Sequence, residues 1–460
     1  MDLQEKVTDT PEVKSNGNGK IISREYWLNV WERSIWTWLP RSAKEAGESI
    51  IRNFLLHWFP AKITKKSLSW GYSLWLGTIS ASLFLILSIT GVVLMFYYVP
   101  SIERAYWSVK DIEFVISFGW LLRNTHRMAA HLMVAVVFFH MVRVFLTGAY
   151  RSAEVVGANR AVNWLSGILL LLLTMFLSFT GYLLPWDQLA YWAITVGTNI
   201  AKAAPLIGDS MSYLLLGGNQ IEQNTLIRFY VLHVAFLPII LLILISYHMW
   251  RIRKDGGLAC VDHLALERKE QTIEVTSSKT YSLLGIARGQ RPSVITSMVS
   301  EEDTLNTSPF LPRRILTVFI LTFLVTTVLS ILFKAPLEAP ANPGVTPDVA
   351  KAPWYFLWLQ ELVADTSFKI GGYMLNGALI GGIIVPGVLL VLLAVWPFID
   401  KSGPQAIGVW FHKGRNKQNL IFIIIVVLIL VLVIVGTFMR GTFYDFYWPW
   451  EAWPSIPVRF

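Results

Sequence analysis

The chain has a single cysteine, Cys260, among 460 residues. One thiol excludes a disulfide framework, and it excludes a four-cysteine iron–sulfur or zinc site within this chain. Charge is also scarce: 15% of residues are Asp, Glu, Lys or Arg, against 54% hydrophobic. A water-soluble chain of this length is not built from that ratio. The little charge there is leans positive, at +9. The basic residues lie between apolar runs, where the positive-inside rule accounts for them, so no nucleic-acid partner is expected. The apolar runs lack the intramembrane carboxylates and broken helices of a transporter. Residues 1–23 have no signal-peptide core; they are polar and are expected to be disordered.

What the chain has in quantity is long apolar runs. Seven are long enough to cross a bilayer, at 75–98, 126–146, 162–183, 228–250, 315–334, 374–397 and 418–438. The expected fold is an all-α integral membrane protein. A four-helix transmembrane bundle (61–250) precedes a cytoplasmic linker (251–313). A three-helix C-terminal block (314–440) and an aromatic tail (441–460) follow. Residues 24–60, rich in Trp, suit amphipathic helices at the membrane interface. Lys and Arg concentrate in the loops at 143–160, 251–314 and 401–417, which places those loops and the N-terminus in the cytoplasm and the C-terminus outside.

Histidine inside an apolar run is costly and usually functional. In "RNTHRMAAHLMVAVVFFHMVRVF", His126 and His140 stand at i and i+14. On a helix that is a rise of about 21 Å with a return to within about 40° of the starting face. The fourth run repeats the arrangement with His233 and His248, at i and i+15. Both runs cross in the same direction, so His126 is level with His233 and His140 with His248. Two stacked pairs of this kind would ligate two b-type hemes, bis-histidine and non-covalent. With both axial positions filled, such irons pass electrons rather than bind oxygen. His131, five positions on from His126, points off that face and reads as packing.

Glycines keep the same spacing: Gly77 and Gly91 in the first run, Gly167 and Gly181 in the third. Small residues would let a flat macrocycle approach the backbone. Arg123, Arg127, Arg143 and Arg228 flank the ligands and could hold propionates, since guanidinium forks suit carboxylates.

The motifs "GWLLRNTHR", "FFHMVRVFLTG", "FTGYLLPWDQLAYWA", "TLIRFYVLHVAFLP", "YHMWRIRKDG" and "KAPWYFLWLQEL" resemble cytochrome b of the Rieske/cytochrome bc complexes, from about residue 60 to 440. The four-plus-three helix count is similar to that of plant-type cytochrome b6 with its separate subunit IV, here fused. The resemblance implies quinol oxidation at the outer face. One electron goes to a Rieske [2Fe–2S] protein and on to a c-type cytochrome; the other crosses the two hemes to a quinone near the inner face. It also implies a homodimer in membrane lipid, in a prokaryotic cytoplasmic membrane. A di-heme anchor relaying electrons between the quinone pool and a peripheral enzyme is the alternative, which the "PWDQ" and "APWY" loops disfavour.

By the same resemblance the outer quinol site joins Trp186 and Asp187 to Pro353, Trp354 and Tyr355. The family's loop carries Glu where this chain has Pro353, and proline cannot accept a proton. Glu361 is the first choice for that role, ahead of Asp365 and Asp187. Similar variant loops accompany menaquinone, which is favoured here as the quinone. Arg251, Arg253, Lys254, Asp255 and His57 are candidates at the inner quinone site. The plant-type proteins attach a further heme through a cysteine in the first span. Trp75 stands at that position, so no covalent heme is predicted.

Overall fold

The computed structural model describes residues 59, 62–152, 159–255, 257–258, 277–279, 294–295, 304–347 and 350–451. The N-terminal segment 1–23, nearly all of 24–60 with His57, Cys260 and most of the linker lie outside the described residues.

Among the described residues, seven helices are long and apolar enough to cross a membrane: α1 Leu76–Met95, α3 Gly119–Leu146, α4 Arg160–Leu183, α7 Gln223–Lys254, α8 Thr307–Leu332, α10 Gly377–Ile399 and α11 Lys413–Phe438. The protein is therefore all-α with seven spans. Most residues of each span are not buried, and large side chains such as Ile89, Phe176 and Ile243 face outward. That pattern fits helices solvated by lipid, with backbone polar groups satisfied inside each helix.

Four shorter helices lie at one end of the bundle: α2 Ala105–Phe114, α5 Gln188–Lys202, α6 Gly208–Leu216 and α9 Trp354–Asp365. Apolar run length does not mark them, so hydropathy alone reads these stretches as loops. Asp187 caps α5, accepting from Ala190 N at 2.9 Å, and Pro353 precedes α9, where its missing N–H is harmless. At the opposite end β1, Lys62–Thr64, pairs antiparallel with β2, Thr304–Asn306, ahead of α8.

Packing pairs α1 with α3 and α4 with α7. Buried ions tie the three-helix block to the four-helix half at one end and brace it internally at the other. At one end Arg415, fully buried, donates to the carbonyls of Phe145 (2.8 Å) and Leu146 (3.3 Å), to Tyr150 Oη (2.7 Å) and to Asp400 (3.3 Å). Tyr150 and Ser402 in turn donate to Asp400, each at 2.5 Å. At the other end Arg440 holds Glu361 through both carboxylate oxygens and Asp365 at 2.8 Å. A buried cation must be paired this way or it destabilises the fold.

Two spans begin well before the hydropathy reading, α8 at Thr307 rather than 315 and α3 at Gly119 rather than 126. The extra turns of α3 carry Arg123 and Asn124, which are polar but buried. Arg123 donates to Glu113 (2.8 Å) and to the carbonyls of Ala335 and Pro336. Asn124 exchanges bonds with Ser330 and Ala335.

Candidate heme and quinone sites

The four histidines face one another in two pairs. The ring centroids of His126 and His233 are 6.2 Å apart, and those of His140 and His248 are 6.5 Å apart. Two imidazoles sharing one metal ion, at a bond of about 2.0 Å each, would have centroids about 6.3 Å apart. The separations fit one metal between each pair.

The unequal spacings, i+14 on one helix and i+15 on the other, are reconciled by a π-helical turn at Leu232–Phe236, which contains His233. Leu237 N reaches Leu232 O across it, so the turn absorbs one extra residue. Pro238, which cannot donate to the preceding turn, supplies a local cause. In an unbroken α-helix the one added step would swing His248 by about 100° from the offset that His140 has.

Each of the four glycines backs one imidazole. A Cβ on Gly91 would lie 3.2 Å from His126 Cε1, one on Gly77 3.4 Å from His140, and one on Gly167 3.5 Å from His248. A Cβ on Gly181 would overlap His233 outright. Spacing alone suggests that these glycines clear space for the macrocycle. In the structure they make room for the ligand rings, which is why the two spacings agree.

The other ring nitrogen fixes each ligand's orientation. His126 Nδ1 meets Thr90 Oγ1 at 2.8 Å, His248 Nδ1 meets Ser166 Oγ at 2.9 Å, and His233 Nδ1 meets Leu177 O at 3.1 Å and Thr180 Oγ1 at 3.2 Å. A proton donated from Nδ1 leaves the Nε2 lone pair for a metal. His140 Nδ1 is buried with no partner among the described residues. A cavity beside it is lined by His140, Arg143, Asn163, Gly167 and His248. Paired imidazoles and glycine relief fit a metal-centred group in each layer, and the adjoining cavity gives a planar group room in the His140/His248 layer.

The arginines divide. Arg143 lines that cavity with Nη2 unpartnered among the described residues, while its Nε donates to Tyr72 O. Arg127 lies over the Tyr182 ring, 6.0 Å from its centroid. Arg123 and Arg228 do not face the pairs freely. Arg123 is committed to Glu113 and two carbonyls, and Arg228 to the Leu214 carbonyl.

At the His126 end, the two segments named for the quinol site come together. Phe179 on α4 meets Phe356 on α9 edge to face at 6.0 Å. Asp187 accepts from Glu338 N at 3.2 Å, and Trp186 is buried with left-handed φ 53°. Tyr355 is buried, and its phenol is pushed up to about 12 by that burial, with Arg127 opposing.

His131, expected to serve only as packing, lies on this site. Trp354 Nε1 donates to His131 Nδ1 at 3.0 Å, and Tyr355 stands edge-on to the same ring at 5.6 Å. The signal is present in the sequence, since a histidine in an apolar run is rarely idle; only folding brings residue 354 to it. Glu361, by contrast, is fully buried in its pair with Arg440.

At the His140 end Arg251 and Asp255 form a buried pair at 2.8 Å, joined to the Asn159 backbone.

Fold and site thus define a multi-pass all-α membrane protein with two histidine pairs stacked through its four-helix half. The family model Cytochrome b/b6/petB matches residues 60–256, and Cytochrome b(C-terminal)/b6/petD matches residues 340–447. Cytochrome b6 of Prochlorococcus marinus (strain NATL1A) is 40% identical over 181 residues, covering 39% of this chain and 80% of that protein. Cytochrome b6 of Cyanidium caldarium is 39% identical over 180 residues, covering 39% of this chain and 81% of that protein. A solved structure described as hyperthermophilic respiratory Complex III superposes with a TM-score of 0.62 at 25% identity, covering 82% of this chain and 86% of that one. The chain belongs to the cytochrome b/b6 family, with b6-like and subunit-IV-like parts in one polypeptide. It is a cytochrome b subunit of a bc-type quinol oxidoreductase complex, a heme-carrying, membrane-embedded part of an electron-transport chain.

Proposed function

We propose that the chain oxidises quinol at one membrane face and splits its two electrons. One goes to a Rieske [2Fe–2S] partner and thence to a c-type cytochrome; the other crosses the membrane to reduce a quinone at the opposite face. The observation that carries this reading is the pair of matched histidine separations, 6.2 and 6.5 Å, two layers apart in one bundle. His126 with His233, and His140 with His248, would each hold a non-covalent b-type heme. Bound there, the two hemes supply one-electron transfer along the membrane normal, over layers about 21 Å apart on α3.

The protein's own residues do the rest. Thr90, Ser166, Thr180 and the Leu177 carbonyl orient three of the imidazoles. Arg127, over the Tyr182 ring, and Arg143, on the cavity beside His140, would hold propionates. Trp186, Asp187, Pro353, Trp354 and Tyr355 form the quinol site on the outer side. Tyr355 keeps its phenolic proton at neutral pH and can donate to a quinone oxygen. His131 adds a second donor. Because Trp354 donates to its Nδ1, the neutral ring carries its proton on Nε2, which has no partner among the described residues. A hydrogen bond from Nε2 to a quinol oxygen strengthens as that oxygen becomes anionic. Pro353 cannot accept the proton, and the Glu361 carboxylate is engaged by Arg440, so the proton leaves to water or to Asp187.

Menaquinol is the proposed substrate, with Arg251, Arg253, Lys254 and Asp255 near the inner quinone site. Residues 61–250 serve as the di-heme unit and 314–440 as the quinol-loop unit, in a prokaryotic cytoplasmic membrane, N-terminus inside, as a homodimer. Trp75, in place of the attachment cysteine, leaves no covalent heme.

The test is oxidant-induced reduction. With quinol present and the inner quinone site inhibited, a pulse of oxidant should reduce the b hemes of the assembled complex. If oxidant never reduces them, the electrons are not split.

A further inference from the structure

Three of the four histidines are held by one repeating unit. A glycine faces the ring, a hydroxyl residue precedes that glycine, and a carbonyl lies one helical turn before it. For His126 these are Gly91, Thr90 and Leu87; for His233 they are Gly181, Thr180 and Leu177. For His248 they are Gly167, Ser166 and Asn163. Each hydroxyl donates to its own helix, Thr90 to Ile86 O (2.7 Å), Ser166 to Asn163 O (2.7 Å) and Thr180 to Phe176 O (3.0 Å). Its oxygen is thereby left to accept from an imidazole N–H.

The fourth unit is broken in both parts. Leu76 precedes Gly77, so there is no hydroxyl. Ser73, one turn back, is cut off from α1 by Leu74 and Trp75, whose left-handed φ values of 50° and 53° interrupt the helix. His140 Nδ1, alone of the four, is buried without a partner among the described residues. The neighbouring charge, on Arg143 one turn further along α3, is a donor and cannot accept from it.

We infer that Leu76 is a positioning residue that sets the electron-donating strength of His140. The inference rests on the reading of the histidine pairs as heme ligands. An imidazole whose Nδ1–H is accepted by oxygen gains imidazolate character and favours ferric iron. His140, with no acceptor, favours the ferrous state. The centre it shares with His248 therefore sits at a higher reduction potential than the same ligands would give with a hydroxyl at position 76.

The test uses the assembled complex and a potentiometric titration of its two b components, followed optically and by low-temperature EPR. Leu76→Thr places a hydroxyl at i−14 from Thr90, on the same helical face. It should lower the midpoint of one component and shift that component's low-spin g values, leaving the other unchanged. Leu76→Val, alike in shape but without the hydroxyl, should move neither. Ser166→Ala removes an acceptor from the partner ligand and should raise the same component. Equal midpoints in the Thr and Val variants, or a shift of the opposite component, overturn the inference. A wild-type complex with only one low-spin b component would instead overturn the ligand assignment, before any variant is made.

Discussion

The two histidine layers use the same parts at different tolerances. In the His126/His233 layer the glycine contacts are tight. An added Cβ would lie 3.2 Å from His126 and would overlap His233, and both Nδ1 atoms are bonded. In the His140/His248 layer the same contacts are 3.4 and 3.5 Å, one Nδ1 is unpartnered among the described residues, and a cavity opens beside it. One layer is over-determined by its surroundings and the other is not. Equal spacing in sequence therefore does not give equal environments.

The two layers should differ most in what their glycines tolerate. Gly181→Ala should eliminate the His126/His233 centre while the other survives, because close-packed helix and ring cannot both yield to the overlap. Gly167→Ala, at 3.5 Å, should keep both. A heme-to-protein ratio and a redox titration on each variant decide it.

Next in size is the ion pair at the His126 end. Glu361→Gln leaves the Arg440 guanidinium without its main counter-charge, a loss of about 3–5 kcal/mol for a buried pair. A clear fall in Tm is expected with no change in the acid limb of quinol oxidation. A displaced acid limb would return Glu361 to the proton path.

His131→Leu removes one hydrogen-bond donor from the proposed quinol site. The quinol KM should rise about tenfold, the equivalent of about 1.4 kcal/mol, with the redox midpoints unmoved. An unchanged KM would leave His131 as packing.

The smallest effect separates the two ends by pH. Burial pushes the Asp400 carboxyl up, but the bonds from Ser402 and Tyr150 outweigh it and hold it below the usual range. Its contribution is complete above an unfolded value of about 3.9 and is lost as pH falls through the folded one. Asp365 runs the other way, raised first by burial and then by Glu361, so its cost to the fold appears as pH rises through its folded value. Melting curves below pH ~4 should flatten in Asp400→Asn and not in Asp365→Asn.

Much of this was legible in the chain. All seven spans follow from apolar run length, because a bilayer leaves no other way to satisfy a backbone. Hydropathy misplaces the start of α3, since Arg123 and Asn124 look like solvent residues until their partners around 330–336 are known. It also misses α2, α5, α6 and α9, which are short, lie outside the spans and carry mixed polarity. The linker, His57 and Cys260 lie outside the described residues.

The sequence by itself determined the spans and which histidines are level with which, because helical rise and bilayer thickness are fixed lengths. Only the tertiary structure decided what surrounds those histidines. The π turn that makes a spacing of i+15 equivalent to one of i+14, the glycine behind each ring, the tryptophan that reaches His131 and the missing acceptor at His140 all depend on atoms from different helices. Contacts across a bundle are set by packing at tenths of an ångström, which no periodicity within one helix encodes.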